Sequence, residues 1–168
     1  VVFANGGPVG PRTISFVLGQ PPGGVLSLIR GFNVLDIGVS IVVRDFDGDG
    51  NSDIAIGFKR AGTQSQDSLQ LFRNNGDGTF TLARRINIEV GTTTDMAVGD
   101  FNGDGSDDLV IGAPNATVNG KVDDGAVIIL YSSGSSGLNL KGNQVWSEDS
   151  PGMPGVAEET DYFGYSLA

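Results

Sequence analysis

Short apolar stretches alternate with breaks rich in glycine, asparagine and aspartate along the chain. Within the stretches apolar residues recur at every second position or run together as β-branched residues, and no segment carries them at i, i+3, i+4 and i+7 for more than two turns. The pattern predicts strands over residues 1–4, 13–18, 25–29, 40–44, 53–58, 69–73, 80–88, 96–99, 108–112, 126–131, 144–146 and 162–168, with helices nearly absent. An all-β sandwich, barrel or propeller fits that spacing.

The chain also repeats itself. Residues 41–57 lie over residues 96–112 without a gap, at an offset of 55. A further copy begins at Phe163-Gly164-Tyr165-Ser166-Leu167-Ala168, where Leu167-Ala168 takes the place of Met96-Ala97. Near the other end, residues 1–7 resemble residues 127–134, a strand that follows such a loop, so the sequence is expected to open and close within a repeat.

Composition narrows the chemistry. Twenty acidic against ten basic residues give a net charge of −10, which disfavours nucleic acid and anionic lipid and attracts divalent cations. Without cysteine or histidine the chain has no Ser-His-Asp or Cys-His catalysis and no zinc finger, and only oxygen ligands remain for a metal. No stretch approaches the roughly 18 apolar residues of a membrane span, so membrane insertion is not expected. The 27 glycines carry no collagen-like triplet period and belong in turns between strands.

The two aligned segments each carry carboxylates at alternate positions followed by glycine. This arrangement gathers hard oxygens around one point while the glycine lets the backbone turn back sharply. Positions one, three, five, seven and nine are Asp45, Asp47, Asp49, Asn51 and Asp53 in the first loop, and Asp100, Asn102, Asp104, Ser106 and Asp108 in the second. Position seven is expected to offer its backbone carbonyl and position nine to close the shell. An EF-hand would place glutamate at position twelve between helices, but that position is Ile56 or Ile111, flanked by strands. Oxygen-only ligands point to Ca2+, at two sites. Four side-chain charges against three suggest that the first loop binds more tightly.

The strings D-F-N-G-D-G-S-D-D-L-V-I-G-A-P (residues 100–114) and F-G-Y-S-L-A (residues 163–168) resemble the FG-GAP repeat of integrin α-chain propellers and their bacterial relatives. Asn74-Asn75-Gly76-Asp77-Gly78-Thr79-Phe80 is similar to the turn after the calcium hairpin in bacterial surface proteins, and residues 125–131, continuing to Trp146, are similar to the outer strands of secreted ones. The resemblance is weakest over residues 6–33, which are rich in proline and glycine, and the first copy has Gly57-Phe58 in place of Gly112-Ala113-Pro114. It implies a β-propeller segment of four-stranded antiparallel blades, with calcium in the hairpin between inner strands on one rim. Residues 1–38 would supply outer strands of a preceding blade plus a linker, 39–94 a first calcium-loop repeat, 95–161 a second, and 162–168 the start of a third.

At about 55 to 70 residues per repeat the chain makes about three blades of a typically seven-bladed ring, and three cannot close one. Further blades in cis, self-association in trans and covered edges all remain open. The expected function is a non-catalytic, secreted or cell-surface adhesion or recognition module for an unidentified protein or carbohydrate ligand. An accessory propeller of a secreted hydrolase and a structural cell-surface subunit are the alternatives. Asn115-Ala116-Thr117 forms a glycosylation sequon at the surface. The neighbouring carboxylates Asp107-Asp108, Asp123-Asp124 and Glu158-Glu159 face opposite sides of an extended backbone and do not read as an acid-base pair. Trp146 and Tyr131 are expected in the core.

Overall fold

The protein is seen in a computed structural model that describes the backbone of residues 2–5, 12–18, 27–34, 37–59, 67–88, 93 and 95–167. Side-chain surroundings are described for residues 40–58, 69–86, 93 and 95–167. Val1, Val25, Leu26 and Ala168, at the ends of expected strands, lie outside the described residues, as do 6–11 and 19–24 of the proline- and glycine-rich stretch.

Alternating apolar positions and glycine-bearing turns produce three antiparallel meanders. Strands β1 (Val2–Asn5), β2 (Arg12–Leu18) and β3 (Ser27–Val34) form a three-stranded sheet. A four-stranded sheet follows in the order β4 (Ile37–Arg44), β5 (Asp53–Lys59), β6 (Asp67–Asn74) and β7 (Phe80–Ile88). The second four-stranded sheet runs β8 (Asp95–Gly99), β9 (Asp108–Ala113), β10 (Ala126–Leu130) and β11 (Gln144–Trp146). The one helical element among the described residues is a 3-10 turn, Gly134–Ser136. The 55-residue offset reappears in the pairing, with Ile54 opposite Val43 and Leu109 opposite Val98.

The two four-stranded sheets share a core. Ala55, Leu69, Leu71 and Ile86 of the first meet Met96, Leu109, Ile111, Ile128, Leu130 and Leu138 of the second, with Phe46 inserted from the β4–β5 loop. Ile54, Ile56, Phe58 and Phe72 build a separate cluster. β9 is therefore buried along its whole length, whereas β10 alternates between buried and half-buried positions. Each fully buried Leu or Ile contributes about 1.5 to 3 kcal/mol, so β9, with Leu109 and Ile111 at 0% exposure, is central to the stability of its sheet. The first strands of the two sheets, β4 and β8, lie side by side.

Residues 162–167 are not the strand that their sequence predicts. Their backbone hydrogen bonds run to the β9–β10 connection instead: Tyr162 N–H donates to the Asp123 carbonyl (3.1 Å) and Phe163 N–H to that of Asp124 (2.9 Å). A single parallel bridge joins Phe163 to Gly125, and positive φ at Thr160 (73°) and Tyr162 (56°) bends the chain out of an extended path. Trp146 and Tyr131 are half-buried, not core: β11 is an edge strand, and the Trp146 indole N–H turns back to Gln144 Oε1 at 2.8 Å.

This returning segment closes over β9 and β10 so tightly that only glycine fits beneath it. A Cβ on Gly112 would lie 2.2 Å from the Gly164 carbonyl oxygen, and one on Gly125 would lie 2.3 Å from Phe163 N. Backbone cannot swing aside as a side chain can. Gly112→Ala is therefore expected to destabilise the protein by about 2 to 3 kcal/mol, seen as a lowered urea midpoint with an unchanged slope. An unmoved midpoint would mean that the segment does not pack there in solution.

Candidate metal-binding loops

The β4–β5 loop is shaped by its own carboxylates. Asp45 accepts from Gly48 N–H through Oδ1 and from Gly50 N–H through Oδ2, both at 2.8 Å. Asp47 Oδ1 accepts from Asp49 N–H (3.2 Å) and Asp49 Oδ1 from Asn51 N–H (2.8 Å). Gly48 and Gly50 supply the positive φ (72° and 86°) that such a coil needs. As a result, one carboxylate oxygen each from Asp45, Asp47 and Asp49 lie within 4.8 Å of one another. Oxygens that share one calcium ion at about 2.4 Å can be at most about 4.8 Å apart, so this donor set fits that ion.

The β8–β9 loop repeats the pattern. Asp100 accepts from Gly103 N–H (2.7 Å) and Gly105 N–H (2.9 Å), Asn102 Oδ1 from Asp104 N–H (2.8 Å), and Asp104 Oδ1 from Ser106 N–H (2.8 Å). Here the Asn102 amide donates to Asp104 Oδ2 at 3.0 Å and replaces a charge with a hydrogen bond.

Position nine has a structural task in both loops. Asp53 Oδ2 accepts from Phe46 N–H (3.2 Å) and Oδ1 from Asn74 N–H (2.9 Å), tying the loop to the end of β6. Asp108 does the same with Phe101 N–H and Ser132 N–H, both at 2.9 Å, tying its loop to the end of β10. These anchors are 6% and 0% exposed. Burial is the main cause that raises the Asp53 carboxyl above its ordinary range, with Asp47 and Asp49 adding repulsion and the two N–H donors opposing both. A carboxylate has about four acceptor positions, so two remain at each anchor for a metal.

Two features were invisible in the motif alone. Arg73, at the end of β6, reaches across the first loop with Nε 2.8 Å from Asp47 Oδ2 and Nη2 3.1 Å from Asp49 Oδ2. The Asp49 carboxyl is lowered, first by the Asn51 N–H and next by Arg73. The second sheet also covers the first loop: Ser132 Oγ donates to the Phe46 carbonyl at 2.7 Å, and Gly137 lies against Asp47. Phe46 is consequently 4% exposed, whereas its repeat partner Phe101, with no sheet over it among the described residues, is 51% exposed. Arg44, at the end of β4, pairs with Asp107 of the second loop and adds a polar contact between the sheets.

Asp124 stands apart from both loops. It is fully buried beside Gly125, and among the described residues neither carboxylate oxygen has a hydrogen-bond partner. Burial raises its carboxyl, the nearby Asp149 and Asp161 raise it further, and Lys121, which pairs with Asp149 at 3.0 Å, partly opposes them. The sequon side chains Asn115 and Thr117 are exposed.

An FG-GAP-like repeat family matches residues 45–111, which contain both loops and the strands between them. The chain is 36% identical to integrin alpha-PS2 of Drosophila melanogaster over 140 residues, which cover 79% of the chain and 10% of that protein. It is 30% identical to human integrin alpha-6 over 141 residues (78% of the chain, 11% of that protein), and 28% identical to mouse integrin alpha-3 over 166 residues (91% and 15%). The chain thus spans only 10 to 15% of the length of these relatives.

Because Asp108 holds two backbone N–H groups, Asp108→Ala is expected to cost about 2 to 4 kcal/mol even in chelator, read from urea unfolding. Loss seen only with calcium present would reduce Asp108 to a ligand. For Asp124 the raised value means that folding favours its protonated form, so its penalty is absent below the ordinary value of 3.8, grows as pH rises from there to the folded value and is complete above it. Asp124→Asn should raise the melting temperature at pH 7, and the gain should fade as pH falls toward 3.8. A gain independent of pH would contradict the assignment.

Proposed function

Residues 45–111 belong to the FG-GAP-like repeat family and the two four-stranded sheets are blades of its integrin-type propeller, a premise from which we propose a calcium-binding extracellular module for adhesion or ligand recognition. Its role is non-catalytic, and its ligand is a protein or a glycan met by loops on a rim. The convergent carboxylates of Asp45, Asp47 and Asp49 carry this reading, supported by a second loop with the same hydrogen-bond pattern.

In this reading Asp45, Asp47, Asp49, Asn51 and Asp53 hold one Ca2+, and Asp100, Asn102, Asp104, Ser106 and Asp108 hold another. Asn51 and Ser106 contribute backbone carbonyls. Bound calcium cancels the repulsion among the carboxylates and stiffens the loop without changing the anchors at position nine. Exposed Phe101 then marks where a further blade sits, as the second blade sits on Phe46, whether that blade follows in the same polypeptide or comes from another copy.

Calcium titration by calorimetry on chelator-stripped protein tests the proposal. Two sites are expected, and at calcium 100-fold above Kd each should add about 2.7 kcal/mol of stability and raise the melting temperature. Absence of binding would reduce both loops to hydrogen-bonded hairpins and leave the propeller without its metal.

A further inference from the structure

We infer that Arg73 is a built-in competitor for the cation at the first loop, and that calcium enters by displacing its guanidinium from Asp47 and Asp49. The inference rests on the calcium reading above and concerns which loop binds more strongly and what holds the first loop in shape before metal arrives.

The placement of Arg73 follows from strand register. Ile54 pairs with Phe72, which sets Arg73 opposite Asp53 at the mouth of the first loop. Leu109 pairs with Leu130 in the second blade, which sets Tyr131 in the corresponding place. One loop therefore has an arginine at that register position and the other a tyrosine. Among the described residues no cation pairs with Asp100 or Asp104, since Arg44 pairs with Asp107, outside the five donor positions.

The contacts of Arg73 fall on two of the three carboxylates that a metal would use. Its Nε and Nη2 each take one oxygen of a different carboxylate, at 2.8 and 3.1 Å, and both of those carboxylates belong to the convergent group of three. A guanidinium and a calcium ion compete for the same two carboxylates, because each is positive and each needs their lone pairs. Counted with Arg73, the four carboxylates of the first loop carry a net −3, the same as Asp100, Asp104 and Asp108 together. The extra aspartate therefore confers no advantage for calcium. Arg73 is half exposed, so a displaced guanidinium can swing into solvent.

The same contacts make Arg73 useful before metal binds. It offsets the repulsion between Asp47 and Asp49, so the first loop keeps its shape without an ion, whereas the second relies on the Asn102 amide for that. Removing the arginine should therefore act in opposite directions with and without calcium, which loss of an ordinary structural contact would not do.

The test is Arg73→Gln, studied in a background of Asp100→Asn and Asp104→Asn so that calorimetry reads the first loop alone, with Arg73→Lys in parallel. Arg73→Gln is expected to tighten calcium binding about tenfold, the size of two exposed charge-assisted contacts, while lowering the melting temperature in chelator. Arg73→Lys keeps the charge without the fork and should fall between. Unchanged affinity in Arg73→Gln, with calcium still bound, would overturn the inference and leave the calcium reading standing. No calcium on unsubstituted protein would overturn that reading first, and the melting temperature in chelator would still show whether Arg73 steadies the empty loop.

Discussion

One buried carboxylate in each blade holds three stretches of backbone together. Asp53 is the first residue of its strand, grips the loop behind it through Phe46 N–H and grips the end of the next strand through Asn74 N–H. Asp108 repeats this with Phe101 and Ser132. Everything above the anchor follows from it: the loop can curl around its own carboxylates because its exit is fixed, and the strand that carries Arg73 or Tyr131 is brought to the loop's mouth. Hydrogen bonds to a charged group are worth roughly twice those between neutral ones, so a carboxylate, and not an amide, suits this position.

The second consequence is that loop and blade packing are not separate. The hydroxyl of Ser132 reaches the carbonyl of Phe46, so the residue next to one anchor also caps the loop of the blade before. The apolar ring of Phe46 goes with it into the shared core. A change in the first loop is thereby felt at the contact between blades, and the half-buried state of that loop reflects its neighbour as much as its own sequence.

Much of this was legible beforehand. Alternation and turn residues located ten of the eleven described strands to within about three residues, while β3 runs five residues further than expected. The 55-residue repeat located both loops, since the positions of Asp45, Asp47, Asp49 and their counterparts follow from local backbone geometry. What could not be read depended on register or on distant chain. Arg73 reaches the loop only because β6 pairs with β5 as it does, and nothing in the motif mentions it. The apolar alternation of residues 162–167 suggested a strand, but their hydrogen-bond partners were already fixed on the β9–β10 connection. Trp146 looked like core by residue type, yet it sits on an edge.

The glycine that each second strand carries near its end tells a different story about inheritance. Gly57 is overlain by Thr93 and Gly112 by Gly164, in both cases by residues that come after the sheet they cover. A blade is therefore finished by chain that follows its last strand. Duplication, deletion or grafting of such units cannot cut directly behind the last strand of a sheet without leaving a blade unsealed. The module that can be copied or exchanged is longer than the sheet that can be seen, and an engineer who shuffles these repeats must place the crossover beyond the covering residue, Thr93 or Gly164.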